Sequence, residues 1–408
     1  MAENKLDKSV CELFAGVGGF RIGLSESGWE TVFVNQWEPK ASKQYAYDCY
    51  REHFGEITPY DNVDINEISP SKFPKHTLLV GGFPCQDYSV ARTRAQGIQG
   101  KKGVLWWQIE KIIKAQKPPF ILLENVDRLL KSPSSQRGRD FGVMLATLGR
   151  HGYIVEWRVV NAADYGFPQR RRRTFIFATH KSTKRYKELL KPSMLDLLAK
   201  EGFFATTLPV NEHPESLRGI NIGAIKTEDD MLRVSNEFTF NFDNAGVFRL
   251  GDIATARVVP KPVKPQTISD ILDIGVGSSF DISPKDMVKW DFMKGSKKVE
   301  RTSKEGFSYV FSEGAIAFPD PLDKPARTML TSEGKKNRST HVIKDPESGK
   351  LRLLTPRECE KINGFPADWT KGYMPESFRY FCMGNALVVG LISIMGKRLS
   401  EVVDYENS

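Results

Sequence analysis

No two cysteines of this chain form a CxxC pair; its five stand apart at Cys11, Cys49, Cys85, Cys359 and Cys382. That spacing excludes the common zinc frameworks and gives no disulfide scaffold, so no metal site is expected. No apolar run reaches the length of a membrane span, and no membrane partner is expected. The opening MAENKLDKSV lacks the apolar core of a signal peptide, which points to the cytoplasm. The dinucleotide pattern GxGxxG is missing too, and this argues against a nicotinamide oxidoreductase. The 408 residues are 40% hydrophobic and 27% charged, enough for two or three domains around a sizeable core. The formal net charge of +9 suits a polyanionic partner, although solubility alone would also explain it.

The first 184 residues alternate between strand-like and helix-like runs. VCELF (10–14), TVFVN (31–35), TLLVGG (77–82) and FILLEN (120–125) are short and apolar, and Tyr153–Val160 and Thr174–Thr179 add two more. Between them, FRIGLSES, ASKQYAYDCYREHF and VLWWQIEKIIKAQ have helical spacing. This alternation predicts an α/β fold with a doubly wound, mostly parallel sheet, whose ligands bind beyond the carboxyl ends of the strands. Residues 185–350 are punctuated by proline and glycine and are expected to form a second, irregular domain. Regular structure returns in 351–408: Thr355, Pro356 and Glu358 make a capping box, and ALVVGLISIMGKRLSEVV (386–403) is amphipathic.

Four constellations carry chemistry. LFAGVGGFRIGL runs a strand into glycines and then a helix, bringing backbone N–H groups near a ligand. Its FxGxGG spacing suits a cofactor without a pyrophosphate. GGFPCQDYSV places Cys85 between Pro84 and Gln86, past the end of an apolar run. Most lone cysteines are quiet core residues. This one precedes a basic, glycine-containing stretch that fits a lid over an anionic partner. FILLENV ends an apolar strand on Glu124, a carboxyl placed to donate to a ring nitrogen or, equally, to pair with a cation. PQRRRRTFIFA holds four arginines, and strand alternation points Arg171 and Arg173 the same way, fit to hold a phosphate or a carbonyl oxygen.

Taken in order, FAGVGGFR, GGFPCQ, ENV, QRRRR, RLLTPRECEKINGFP and GNALVV closely resemble the bacterial DNA (cytosine-5) methyltransferases of restriction-modification systems. The resemblance covers the whole chain except about residues 185–320. It implies a Rossmann-like S-adenosylmethionine-dependent methyltransferase. Residues 1–184 would be the catalytic and cofactor-binding domain, 185–350 the target-recognition domain, and 351–408 a segment returning to the catalytic domain.

By the same resemblance Cys85 is the nucleophile that adds to carbon-6 of an extruded cytosine, and Glu124 contacts ring nitrogen 3. Arg171 matches the arginine that helps hold the cytosine carbonyl, and Arg173 matches the second arginine of that block. Gln86, Ser89, Asn125 and Thr328 match substrate contacts. The cofactor residues are Phe14, Ala15, Gly16, Gly18, Gly19, Gln36, Trp37, Asp64, Ile65, Pro84, Leu105 and Asn385. One departure stands out. The family has a glutamate where this chain has Gln36, and Glu38 lies two residues on. The implied partners are duplex DNA and a cognate restriction endonuclease, with the enzyme a monomer. Within 324–338, Arg327, Lys335, Lys336 and Arg338 are candidates for reading base edges, or simply a solvated basic loop. Two rival readings stay open: the same chemistry on RNA, and a catalytically silent DNA-binding regulator, which Gln36 favours.

Overall fold

The computed structural model describes residues 5–39, 41–83, 104–211, 214, 217–261, 263–302 and 306–408. Strands β1 (Ser9–Leu13), β2 (Glu30–Asn35), β3 (Leu78–Gly82), β4 (Phe120–Val126), β5 (Tyr153–Asn161), β6 (Arg172–His180), β7 (Leu217–Asn221), β8 (Ala245–Arg249) and β9 (Asp252–Ala256) share one sheet. Their order is β2-β1-β3-β4-β6-β5-β8-β9-β7. Successive residues of the central strands feed opposite faces, as a pleat requires. Leu78, Val80, Phe120 and Leu122 join one core, and Leu79, Ile121 and Leu123 join the other. Burial on both faces explains why these strands read as unbroken apolar runs.

The sheet is parallel from β2 to β4 and antiparallel from β6 onward. The cause is connection length. Only residues 162–171 join β5 to β6, fewer than the dozen or so that a parallel crossover needs.

The sheet does not stop at residue 184, where the sequence suggested a division. β8 pairs with β5, and β9 and β7 follow it outward. β7 (LRGIN) is exposed along most of its length, so no apolar alternation marks it. The helix Glu228–Glu237 packs on the helix Arg139–Arg150 and is started by a capping box of Thr227 and Asp230. The irregular region is therefore shorter than expected, from about residue 257 to 350. It carries the hairpin β10 (Lys297–Thr302) and β11 (Ser308–Glu313), and the short pair β12 (Val342–Lys344) and β13 (Leu351–Leu353).

The C-terminal segment returns to the residues that flank β1. Thr355 and Glu358 form the expected capping box of the helix Pro356–Ile362. The helix Val389–Asn407 lies on the helix Gly19–Ser25 so closely that a Cβ on Gly23 would stand 2.7 Å from Ile392 Cβ. Asn407 exchanges two hydrogen bonds with the backbone of Leu6, both 2.8 Å. Among the described residues, no single helix is long and apolar enough to cross a membrane.

Two buried charge arrangements yield stability predictions. Arg352, 1% exposed, donates to Asp345 at 2.7 Å and to both oxygens of Glu358 at 2.8 Å. Removing one partner strands the other charge out of water. Arg352→Ala should therefore cost about 3–5 kcal/mol, read from urea unfolding midpoints. Glu12, fully buried on β1, has its carboxyl pushed up to about 7 by burial, with the Tyr50 hydroxyl at 2.9 Å partly opposing this. The folded chain then holds a proton that the unfolded chain releases, so stability should fall as pH rises between about 4.5 and 7. Glu12→Gln should remove that part of the slope, measured as the change in unfolding free energy between about pH 5 and about pH 8.

Candidate functional site

Above the carboxyl ends of β1 to β4 lies a cavity of about 1320 Å³. Its floor is the glycine turn. Phe14, Gly16 and Gly18 all have positive φ, at 56°, 58° and 91°. A Cβ on Gly16 would meet nothing within 4 Å, so its backbone faces open space; one on Gly18 would strike Phe54 at 2.5 Å. Gly18 is thus a packing glycine, while Phe14, Ala15, Gly16 and Gly19 line the cavity. The Gly16 N–H donates to Gln36 Oε1 at 2.7 Å, tying the turn to the end of β2.

β2 supplies a second wall. Asn35 donates to the carbonyls of Tyr60 and Val63 at 3.1 and 2.9 Å, which brings Asp64 and Ile65 to the cavity. Asp64 accepts from the Asn66 backbone and side chain at 2.9 and 2.7 Å. Trp37 lines the cavity with 38% of its surface exposed, unusual for so large a ring. Leu105 and Asn385 complete the set of sequence-derived cofactor residues found there. Pro84, Cys85, Gln86 and Ser89 lie outside the described residues.

β3 and β4 bring the third wall. Their parallel register sets Gly82 opposite Glu124. Adjacent strands are about 4.8 Å apart, and a Cβ on Gly82 would stand 3.5 Å from Glu124 Oε2. Asn125 locks the exit of β3 by donating to the Phe83 carbonyl at 2.8 Å. Antiparallel pairing with β6 sets Val126 opposite Arg173. Arg173 Nε approaches Glu124 Oε1 to 2.8 Å. That contact is a charge pair without hydrogen-bond alignment, since this oxygen has no aligned donor among the described residues.

Arg171 takes another position. It is 1% exposed and outside the cavity wall. Its guanidinium donates to the carbonyls of Met329 at 3.3 Å and of Gly384 and Asn385 at 3.1 Å each. Burial, with Arg173 adding repulsion, lowers its pKa to about 9. Thr328 lies beside the same run and donates to the Arg170 carbonyl at 2.6 Å.

The two arginines of the basic loop are turned inward, and its two lysines are exposed. Arg327 clamps Asp320 at 2.7 and 3.1 Å and donates to the Ser339 carbonyl. Arg338 donates to the carbonyls of Met293 and Gly295, and Lys336 pairs with Asp286 at 2.6 Å. Lys335 is exposed. Sequence reading had no means to separate these roles, because the acceptors are carboxylates and backbone carbonyls that only the fold brings to these side chains. It also did not place Phe381, Cys382, Ala386 and Leu387 in the cavity wall. Their adjacency to Asn385 was the available signal. No cluster of His, Cys, Asp and Glu suited to a metal occurs among the described residues.

Comparison with known proteins bears directly on this arrangement. The chain is 46% identical over 98% of its length to the Type II methyltransferase M.Sau3AI of Staphylococcus aureus, covering 97% of that protein. It is 42% identical to the Type II methyltransferase M.HaeII of Haemophilus aegyptius over 40% of this chain and 48% of the other. In fold it is similar to the crystal structure of the S. pombe Dnmt2 methyltransferase, with a TM-score of 0.61 at 16% identity, over 98% of this chain and 99% of that one. The family model of the C-5 cytosine-specific DNA methylases matches residues 8–401. With that match spanning nearly the whole chain, and with the glycine turn, β4 and β6 walling one cavity, this protein is a member of the C-5 cytosine-specific DNA methylase family.

Proposed function

We propose that the chain methylates carbon-5 of cytosine within a specific duplex DNA sequence, through an adduct between Cys85 and carbon-6 of a base turned out of the helix. The observation that carries this reading is the register of β3 and β4. It sets the carboxylate of Glu124 beside the strand end that leads, three residues on from Gly82, into Cys85.

The cavity suits S-adenosylmethionine. Gly16 leaves room for a ligand against the backbone, Trp37 presents a ring face, and one buried oxygen of Glu38 has no hydrogen-bond partner among the described residues. Phe14, Ala15, Gly16, Gly19, Gln36, Trp37, Asp64, Ile65, Leu105 and Asn385 would hold it. When bound, the cofactor supplies an electrophilic methyl group. Gly18 supports this set from behind the turn.

Cytosine carbon-5 is by itself a poor nucleophile. Addition of the Cys85 thiolate to carbon-6 makes carbon-5 electron-rich, so carbon-5 takes the methyl group. Loss of the carbon-5 proton to a base then re-forms the double bond between carbon-5 and carbon-6 and expels the thiolate. This leaves 5-methylcytosine, S-adenosylhomocysteine and the free cysteine. Glu124, in its carboxylic-acid form, donates its proton to ring nitrogen 3 and so relieves the negative charge that develops on addition. Arg173, whose Nε lies 2.8 Å from Glu124 Oε1, holds that carboxyl group in place. Extruding the base costs a few kcal/mol, which basic contacts to phosphates offset. Arg171 acts at a distance in this reading, by fixing the Asn385 wall against β6. A restriction endonuclease acting on the same site would be the partner, with the methylase working as a monomer.

Cys85→Ala should abolish methyl transfer to DNA while leaving the unfolding transition unchanged; normal turnover by that variant would refute the mechanism. DNA containing 5-fluorocytosine, offered with S-adenosylmethionine, should become covalently attached at position 85, read by mass spectrometry. Glu124→Gln should slow single-turnover transfer by roughly 10²–10⁴-fold with a much smaller change in DNA affinity. Proportionate loss of both would give Glu124 a structural role instead.

A further inference from the structure

The cavity contains an exchange of roles between neighbouring residues. Gln36 is 7% exposed and spends its carbonyl oxygen on the Gly16 N–H at 2.7 Å. What remains to it is an amide nitrogen that donates and one lone pair of an oxygen already engaged, neither of which carries a charge. The hydroxyls of a ribose need an acceptor as well as a donor. Two residues further on, Glu38 lines the same cavity. Its backbone is gripped on both sides by Gln44, which accepts from the Glu38 N–H at 2.8 Å and donates to its carbonyl at 2.9 Å. The Ala46 N–H, in the first turn of the helix Tyr45–Phe54, serves the carboxylate. Capping a helix needs one oxygen. The other is buried with no hydrogen-bond partner among the described residues. An unmatched buried carboxylate oxygen is costly, and here burial raises the carboxyl's pKa despite the adjacent N–H.

We propose that Gln36 and Glu38 hold the cofactor's ribose diol jointly, Glu38 accepting from a ribose hydroxyl and Gln36 donating to one. The terminal torsion of a glutamate is soft, so the carboxylate turns toward a ligand at little cost. The proposal rests on the reading that this cavity takes S-adenosylmethionine. It assigns to Glu38 the charge that Gln36 cannot carry.

The test is calorimetric binding of S-adenosylhomocysteine, which cannot react, and of its 2′,3′-dideoxyribose analogue, to the full-length chain. Glu38→Gln should weaken S-adenosylhomocysteine on the order of ten- to a hundredfold, the range of a hydrogen bond to a charged group. It should leave the dideoxy analogue's affinity unchanged. Equal weakening of both ligands would overturn the ribose contact and leave Glu38 as a helix cap. If Glu38→Gln fails to fold, Glu38→Asp, which keeps the charge, is put through the same cycle and should lose affinity for the diol ligand alone. Wild-type protein that binds the two ligands equally overturns the proposal while sparing the cofactor reading. Wild-type protein that binds neither overturns both.

Discussion

One buried guanidinium joins three parts of the chain. Arg171 emerges just before β6 and reaches the carbonyl of Met329 with one arm and those of Gly384 and Asn385 with the other. A charge this deep is tolerable only where oxygens replace its lost water. Carbonyls do so without introducing a counter-charge, which leaves Arg173 free to serve Glu124. The arrangement also explains the spacing of the arginines. Arg171 and Arg173 lie on one side of the chain, one at the seam between segments and the other at the cavity.

The cavity follows from strand registers more than from any loop. β1 ends in the glycine turn, β2 in Gln36 and Trp37, β3 in the approach to Cys85, and β4 in Glu124. Parallel pairing brings all four ends to one edge of the sheet. Side chains then fix the approaches. Asn35 draws the Asp64 loop inward, and Asn125 pins the last carbonyl before Pro84. Each amide is satisfied by backbone groups of another segment, so these polar residues set positions that apolar packing alone would leave loose.

The first half of the chain was legible because its strands are apolar on both faces and its turns are rich in glycine. The predicted strands agree with those observed to within a residue or two, and VLWWQIEKIIKAQ is the helix Val104–Gln116. What escaped reading lay in long-range polar contacts. β7, β8 and β9 extend the sheet begun by the first six strands, yet β7 is exposed and carries no alternation. Arg327, Arg338 and Lys336 have the composition of a DNA-reading loop, but their donors are largely committed to Asp320, Asp286 and distant carbonyls. Nothing local distinguishes an arginine that folds inward onto a carbonyl from one that faces solvent. Gln36 shows the converse. Its departure from the family's glutamate was visible in the sequence, whereas its bond to Gly16 required the coordinates.

The return of the last helices to the residues that flank β1 has a consequence for biosynthesis. Phe381, Cys382, Asn385, Ala386 and Leu387 wall the cavity, and Arg171 binds the carbonyls of 384 and 385. These residues leave the ribosome long after β1 and its glycine turn. A nascent chain can pair its early strands, but until they emerge it has neither the far wall of the cavity nor the acceptors for its buried guanidinium. The cavity is thereby finished only when stretches far apart along the chain have met.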